Sequence, residues 1–180
     1  MLILPKLTLV TGGAASGKSH YAERLIISTG LPKKYFATAQ IWDDEMAQKV
    51  RAHRESRTDD GWNTIETGTD LAATINQATI GEAILIDCAT MWLTAVMMAE
   101  GDHAKEVPRL LKALEKCAAP VVMVTNEVGQ GIVPDTSMGR TFRNLQGRFN
   151  QAAAAQADSV IAVMSGLPFA LKGMLPEVNQ

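Results

Sequence analysis

Three observations predict an α/β fold built on a mainly parallel sheet with helices on both faces. Short, almost wholly apolar strands recur along the chain, at Leu7-Thr8-Leu9-Val10-Thr11, Ile84-Leu85-Ile86-Asp87, Val121-Val122-Met123-Val124-Thr125 and Val160-Ile161-Ala162-Val163. Strands without polar alternation are those buried on both faces, as in parallel sheets. Helical segments lie between them, which is how parallel strands are joined. Finally, the run Gly12-Gly13-Ala14-Ala15-Ser16-Gly17-Lys18-Ser19 stands between the first strand and the first helix and matches G-x-x-x-x-G-K-[ST], the phosphate-binding P-loop.

The elements follow in order. Leu7–Thr11 is the first strand. Lys18–Ser28 reads as a helix, with Tyr21, Ala22, Leu25 and Ile26 on its apolar face. Lys34–Thr38 is a second strand. Asp43–Arg57 reads as a helix, with Asp43 or Asp44 near its N-cap. After the turn at Asp59-Asp60-Gly61, Asn63–Glu66 is a short strand, and Asp70–Ala78 is helical. Ile84–Asp87 is a strand and Met91–Ala99 a helix, apolar enough to be a candidate for burial against a neighbouring subunit. Ala104–Ala118 is an amphipathic helix, Val121–Thr125 a buried strand, Thr141–Ala157 a long helix and Val160–Val163 the last clear strand. A pair of extended residues follows Pro168.

Composition narrows the function classes. The chain has 180 residues, and 1–180 is expected to form a single P-loop domain. Hydrophobic residues make up 47% and charged residues 20%, an ordinary globular balance. The net charge of −2 gives no electrostatic case for nucleic acid or an anionic membrane. Cys88 and Cys117 form no CxxC pair, so two reduced thiols in a cytoplasmic protein are expected. Pro5 and Lys6 break the N-terminal apolar stretch, which does not read as a signal peptide. Ala83–Ala99 contains Asp87 and is short for a membrane span.

In a parallel sheet, ligands bind at the carboxyl ends of the strands. Polar residues gather there: Thr38-Ala39-Gln40, Glu66, Asp87 and Asn126-Glu127. Unpaired amides and the helix dipole make the P-loop an anion site, with Lys18 reaching the β- and γ-phosphates and Ser19 holding Mg²⁺. An apolar strand ending in Asp87 is the second half of such a site, its carboxylate placing the same ion. The bland reading of Asp87 is a helix N-cap.

His53 shares a face of the helix over 43–57 with Met46, Val50 and Arg57, and Arg51 and Arg54 are near it in sequence. Three clustered arginines are costly unless anions arrive, and a neutral imidazole beside phosphates is a candidate nucleophile. That helix follows the strand whose end is expected to lie beside the P-loop. The segment Asn126 to Pro134 reads as a polar loop on the ligand side of the sheet. Arg140, Arg143 and Arg148 read as a solvated face.

Taken together the motifs resemble one family, the bifunctional adenosylcobinamide kinase / adenosylcobinamide-phosphate guanylyltransferases of cobalamin biosynthesis. The matching pieces are Thr11-Gly12-Gly13-Ala14 with Ser16-Gly17-Lys18-Ser19, Tyr35-Phe36-Ala37-Thr38-Ala39, Asp44-Glu45-Met46, His53-Arg54, and Trp62 with Thr64-Ile65-Glu66. Asp87-Cys88, Trp92-Leu93-Thr94, Asn126-Glu127-Val128-Gly129 with Gly131-Ile132-Val133-Pro134, and Phe142-Arg143 continue the pattern in order. Gly147, Asn150-Gln151, Ala157-Asp158 and Gly166 complete it.

The resemblance implies two reactions. A nucleoside triphosphate, ATP or GTP, phosphorylates the aminopropanol hydroxyl of adenosylcobinamide. GTP then gives its GMP unit to that phosphate through a guanylylated histidine, which the motif places at His53. Lys18 and the P-loop neutralise the phosphates, Arg54 and Arg57 offset charge on the transferring group, and Glu66 is a candidate for guanine or ribose. Thr38, Ala39 and Gln40 complete the expected nucleotide site. The resemblance also implies a homo-oligomer, a trimer, with a corrinoid as small-molecule substrate. The expected architecture is thus a three-layer P-loop NTPase fold with a mainly parallel sheet, RecA-like.

Some positions depart from the family pattern. Ala15 stands where an arginine is common, Asn144 follows Phe142-Arg143 where an aspartate is usual, and Ala89 and Ala95 replace a leucine and an asparagine. The lost arginine and carboxylate put the efficiency of the kinase half in question. Two other readings of the residues remain: a small-molecule P-loop kinase whose His53 is structural, and a GTP-operated switch protein.

Overall fold

The computed structural model describes residues 1–39 and 61–178. Among them a seven-stranded sheet runs in the order β3-β2-β4-β5-β1-β6-β7. The strands are β1 (Leu7–Gly12), β2 (Lys33–Ala37), β3 (Trp62–Glu66), β4 (Ala83–Asp87), β5 (Val121–Asn126), β6 (Ser159–Met164) and β7 (Leu167–Lys172). All neighbouring pairs are parallel except β6 and β7, which form an antiparallel hairpin. The described helices are α1 (Lys18–Ile27), α2 (Leu71–Ile75), α3 (Ala89–Met98), α4 (His103–Lys116) and α5 (Ser137–Gln156).

Alternation along the strands explains the layers. Leu7, Leu9, Ile84, Ile86, Val121 and Met123 face one core, while Val10, Leu85, Val122 and Val124 face another. The first core is covered by α2, α3, α4 and α5 through residues such as Leu71, Trp92, Leu110 and Phe149. Tyr21, Ala22, Leu25 and Ile26 of α1 cover the second. A sheet apolar on both sides must be sandwiched in this way.

Several expectations change. The apolar helix expected at Met91–Ala99 is α3, and it buries Trp92, Leu93 and Val96 in the chain's own core. Trp92 packs on Phe149 and donates its indole N–H to the Thr69 carbonyl. α2 is shorter than expected, because Asp70 caps it by accepting from the Ala73 amide and it ends at Ile75. α5 starts a turn earlier than Thr141, because the Thr136 hydroxyl accepts from the Gly139 amide and caps it there. The extended pair after Pro168 is a full strand, β7. The end of β2 is not beside the P-loop strand: β4 and β5 lie between β2 and β1. The helix expected over 43–57 lies outside the described residues.

Candidate functional site

The register brings the strand ends into one row. Gly12 of β1 lies opposite Asn126 of β5, Ala37 of β2 opposite Asp87 of β4, and Ala37 again opposite Glu66 of β3. Because β5 separates β1 from β4, Asp87 stands two strand spacings from Gly12, about 10 Å. Glu66 is four spacings away on the outer strand, about 19 Å along the sheet. The structure therefore brings Asp87 to the P-loop and sets Glu66 apart from it.

The P-loop itself is shaped by close approaches. A Cβ on Gly12 would sit 2.5 Å from the Val163 carbonyl oxygen and 2.6 Å from Ser16 Oγ, so only glycine lets β6 and the loop close on each other here. Gly17 has φ 91° and Ala15 has φ 54°. Left-handed residues within a glycine-rich loop of this kind help turn its amides toward an anion. The Gly166 amide donates to the Ser16 carbonyl at 2.9 Å, pinning the loop to the β6–β7 turn.

Lys18 is buried, and its Nζ donates to the Gly13 carbonyl at 3.0 Å. Ser16 Oγ is buried with no hydrogen-bond partner among the described residues. An orphaned hydroxyl and a lysine resting on its own loop are groups that a phosphate chain would satisfy. Gly13 has open space where a side chain would stand, and Ala14 and Ala15 are exposed. Ser19, in the first turn of α1, is half-buried.

At the β4 end, Asp87 Oδ2 accepts from Tyr35 OH at 3.1 Å. The peptide bond from Asp87 to Cys88 is cis. Burial, aided by the Asp87 carboxylate and opposed by the Lys18 ammonium, pushes the Cys88 thiol up to about 11. Thr38 is buried and donates to the Cys88 carbonyl at 2.7 Å, and Ala39 follows it, half-buried. Thr38 therefore ties the ends of β2 and β4 together. Gln40, His53, Arg54 and Arg57 lie outside the described residues.

Two features beside the P-loop were not among the expected site residues. Glu127 accepts from Thr11 Oγ1 at 3.1 Å and from Asn150 Nδ2 at 3.0 Å. The β6–β7 hairpin adds Met164, Phe169 and Leu171 to a cleft of about 620 Å³ that the P-loop also lines. The polar strand end Asn126-Glu127 was a sequence signal for the first, but no sequence signal placed β5 next to β1.

Residues 8–171 match the model of the family described as cobinamide kinase / cobinamide phosphate guanyltransferase. The bifunctional adenosylcobalamin biosynthesis protein CobU of Salmonella typhimurium is 41% identical over 182 residues, with 92% of this chain and 99% of that protein covered. The protein of the same name from Escherichia coli is 38% identical with the same coverage. CobP of Pseudomonas aeruginosa, also named a bifunctional adenosylcobalamin biosynthesis protein, is 38% identical over 168 residues, covering 92% of this chain and 96% of its own. Among solved structures, the flagellar accessory protein FlaH of Methanocaldococcus jannaschii aligns with TM-score 0.57 at 12% identity, over 94% of this chain and 80% of its own. The RadB recombinase aligns with TM-score 0.52 at 16% identity, over 88% and 74%. These likenesses bear on the fold, an α/β P-loop architecture of RecA-like type. With its sequence matched over nearly its whole length, this chain belongs to the cobinamide kinase / cobinamide phosphate guanyltransferase family.

Proposed function

We propose that this chain carries out both reactions of its family on one domain spanning residues 1–180. In the first, a nucleoside triphosphate phosphorylates the hydroxyl of adenosylcobinamide. In the second, GTP transfers GMP through His53 to adenosylcobinamide phosphate, releasing pyrophosphate and giving adenosyl-GDP-cobinamide. The observation that carries this reading is the preformed P-loop, with Lys18 resting on its own loop and the Ser16 hydroxyl orphaned.

The P-loop residues Gly12, Gly13, Ala14, Ala15, Ser16, Gly17, Lys18 and Ser19 hold the phosphate chain, and Lys18 leaves the Gly13 carbonyl to do so. Ser19 and Asp87 offer a hydroxyl and a carboxylate, the hard oxygen donors that suit Mg²⁺. They would hold that ion, which when bound neutralises charge on the phosphates. Tyr35 orients the Asp87 carboxylate. Thr38 and Ala39 at the β2 end, with Gln40 next in sequence, would complete the nucleotide site. Glu66 is set apart from the P-loop, about 19 Å along the sheet, and would meet the base or ribose rather than the phosphates.

His53 acts as a neutral imidazole. Its nitrogen attacks the α-phosphorus of GTP, an N–P bond forms, and the P–O bond to pyrophosphate breaks. A phosphate oxygen of the phosphorylated corrinoid then attacks the same phosphorus and restores the imidazole. Arg54 and Arg57 offset charge on the transferring group. The protein works in the cytoplasm as a homo-oligomer, a trimer. Among the described residues no helix is long and apolar enough to cross a membrane.

The test is parallel labelling with α- and γ-labelled GTP, with Mg²⁺ and no corrinoid. The expected result is an α-specific, acid-labile, alkali-stable protein adduct that His53→Ala abolishes. A protein that binds GTP but takes up no α-label would overturn the guanylyl-histidine and leave a simple kinase.

A further inference from the structure

Glu127 is held at the edge of the P-loop cleft by a chain of buried amides. Its own amide donates to the Gly12 carbonyl at 3.0 Å. Its Oε1 accepts from Thr11 Oγ1 and from Asn150 Nδ2. Asn150 Oδ1 accepts in turn from Thr125 Oγ1 at 2.7 Å and from Gln146 Nε2 at 2.8 Å. Thr125 and Gln146 are wholly buried and Asn150 nearly so. Two donors occupy Asn150 Oδ1, and its Nδ2 donates to the Asn126 carbonyl at 3.1 Å and to Glu127 Oε1.

The hydrogen bonds from Thr11 and Asn150 both end on Glu127 Oε1. Among the described residues Oε2 has no partner, and Glu127 lines the cleft together with Gly13, Phe169 and Leu171. A brace between β5 and the P-loop would account for Oε1 alone. An anchored carboxylate with one unused oxygen in a cleft of about 620 Å³, apolar on one part of its lining and phosphate-binding on another, has the makings of an acceptor site.

We propose that Glu127 receives the proton of the acceptor alcohol in the phosphorylation step, with the carbon chain next to that hydroxyl lying on Phe169 and Leu171. This rests on the kinase reading above. The alcohol oxygen attacks the γ-phosphorus, the new O–P bond forms as the P–O bond to the nucleoside diphosphate breaks, and the hydroxyl proton passes to Glu127 Oε2. A positioned carboxylate of this kind orients the hydroxyl and takes its proton as the transferring group departs.

Glu127→Gln keeps the size of the side chain and an oxygen for Thr11 and Asn150. With a corrinoid alcohol and γ-labelled ATP, kcat for phosphate transfer should fall about 100-fold or more. The KM for ATP should stay within about threefold. The α-label from GTP should persist, because the attacking imidazole nitrogen has no proton to give up. Glu127→Ala should regain phosphate transfer when formate is added, which loss of a brace would not allow. Phe169→Ala should raise the KM for the alcohol about tenfold and leave that for ATP unchanged. Phosphate transfer by Glu127→Gln within threefold of wild type would overturn the assignment and leave the kinase reading standing. So would an equal loss of phosphate transfer and α-label without formate rescue. A wild-type chain that phosphorylates no corrinoid alcohol would instead overturn the kinase reading, and this assignment with it.

Discussion

Lys18 donates to the carbonyl of Gly13 at 3.0 Å, inside the loop they share. The lysine is thus buried and positioned before any phosphate arrives, and binding exchanges one acceptor for a stronger, charged one. Lys18→Ala is expected to lower phosphate transfer about 100- to 1,000-fold, roughly 3–4 kcal/mol of transition-state stabilisation. Steady-state kinetics with γ-labelled ATP reads the loss, and a thermal melt close to wild type separates it from unfolding.

Gly12 tolerates no side chain. Its added Cβ would meet the Val163 backbone oxygen and Ser16 Oγ inside contact distance, and backbone cannot swing away. Gly12→Ala should cost about 1–3 kcal/mol in urea unfolding. It should also weaken nucleotide binding, because the strain is relieved only by moving the P-loop or β6. Gly13→Ala, where nothing stands near the added carbon, should unfold with wild-type stability.

Glu82 carries the clearest pH dependence. Burial alone would raise its carboxyl, but hydrogen bonds from Lys34 Nζ at 2.8 Å and the Thr79 amide at 2.7 Å outweigh it and hold the group below its ordinary value. A depressed carboxylate stabilises the fold fully above its unfolded value, and that contribution is lost as pH falls through the folded one. Glu82→Gln should therefore cost about 1–3 kcal/mol at neutral pH. In paired denaturant titrations the difference from wild type should shrink to nothing in acid.

Cys88 is buried and its thiol is pushed up to about 11, while burial also raises Cys117. At pH 8 the thiolate fraction of Cys88 is about 100-fold below that of an ordinary thiol. Alkylation of the folded protein followed by mass spectrometry should leave both thiols unmodified, and denaturant should release both.

Much of this was legible in the sequence, for identifiable reasons. Ile84-Leu85-Ile86 and Val121 to Val124 are apolar on both faces, and only a covered parallel strand needs that. The P-loop announces itself because phosphate binding demands glycine at fixed positions. Strand order was not legible. Nothing local in Tyr35-Phe36-Ala37 reveals that two strands separate it from β1. β7 was understated because Leu167, Phe169 and Leu171 are exposed, so its pairing with β6 leaves no inward-facing apolar pattern to find. The network at Glu127 was missed because Gln146 and Asn150 look like surface residues of a helix, and only their i, i+4 spacing toward Thr125 hints otherwise. His53, Arg54 and Arg57 rest on sequence reasoning alone.

The pairing of β1 has a consequence for synthesis. Its two neighbours are β5, where Leu7 meets Val121, and β6, where Thr8 meets Ser159. A ribosome that has released the first hundred residues has produced a phosphate loop whose strand has nothing to pair with on either side. Long-range parallel pairing of this kind forms slowly and leaves apolar edges open meanwhile. The oldest part of the nascent chain is thus the last to take shape, and a stalled or truncated product exposes Leu7, Leu9 and Val10 to chaperones before it can hold a nucleotide.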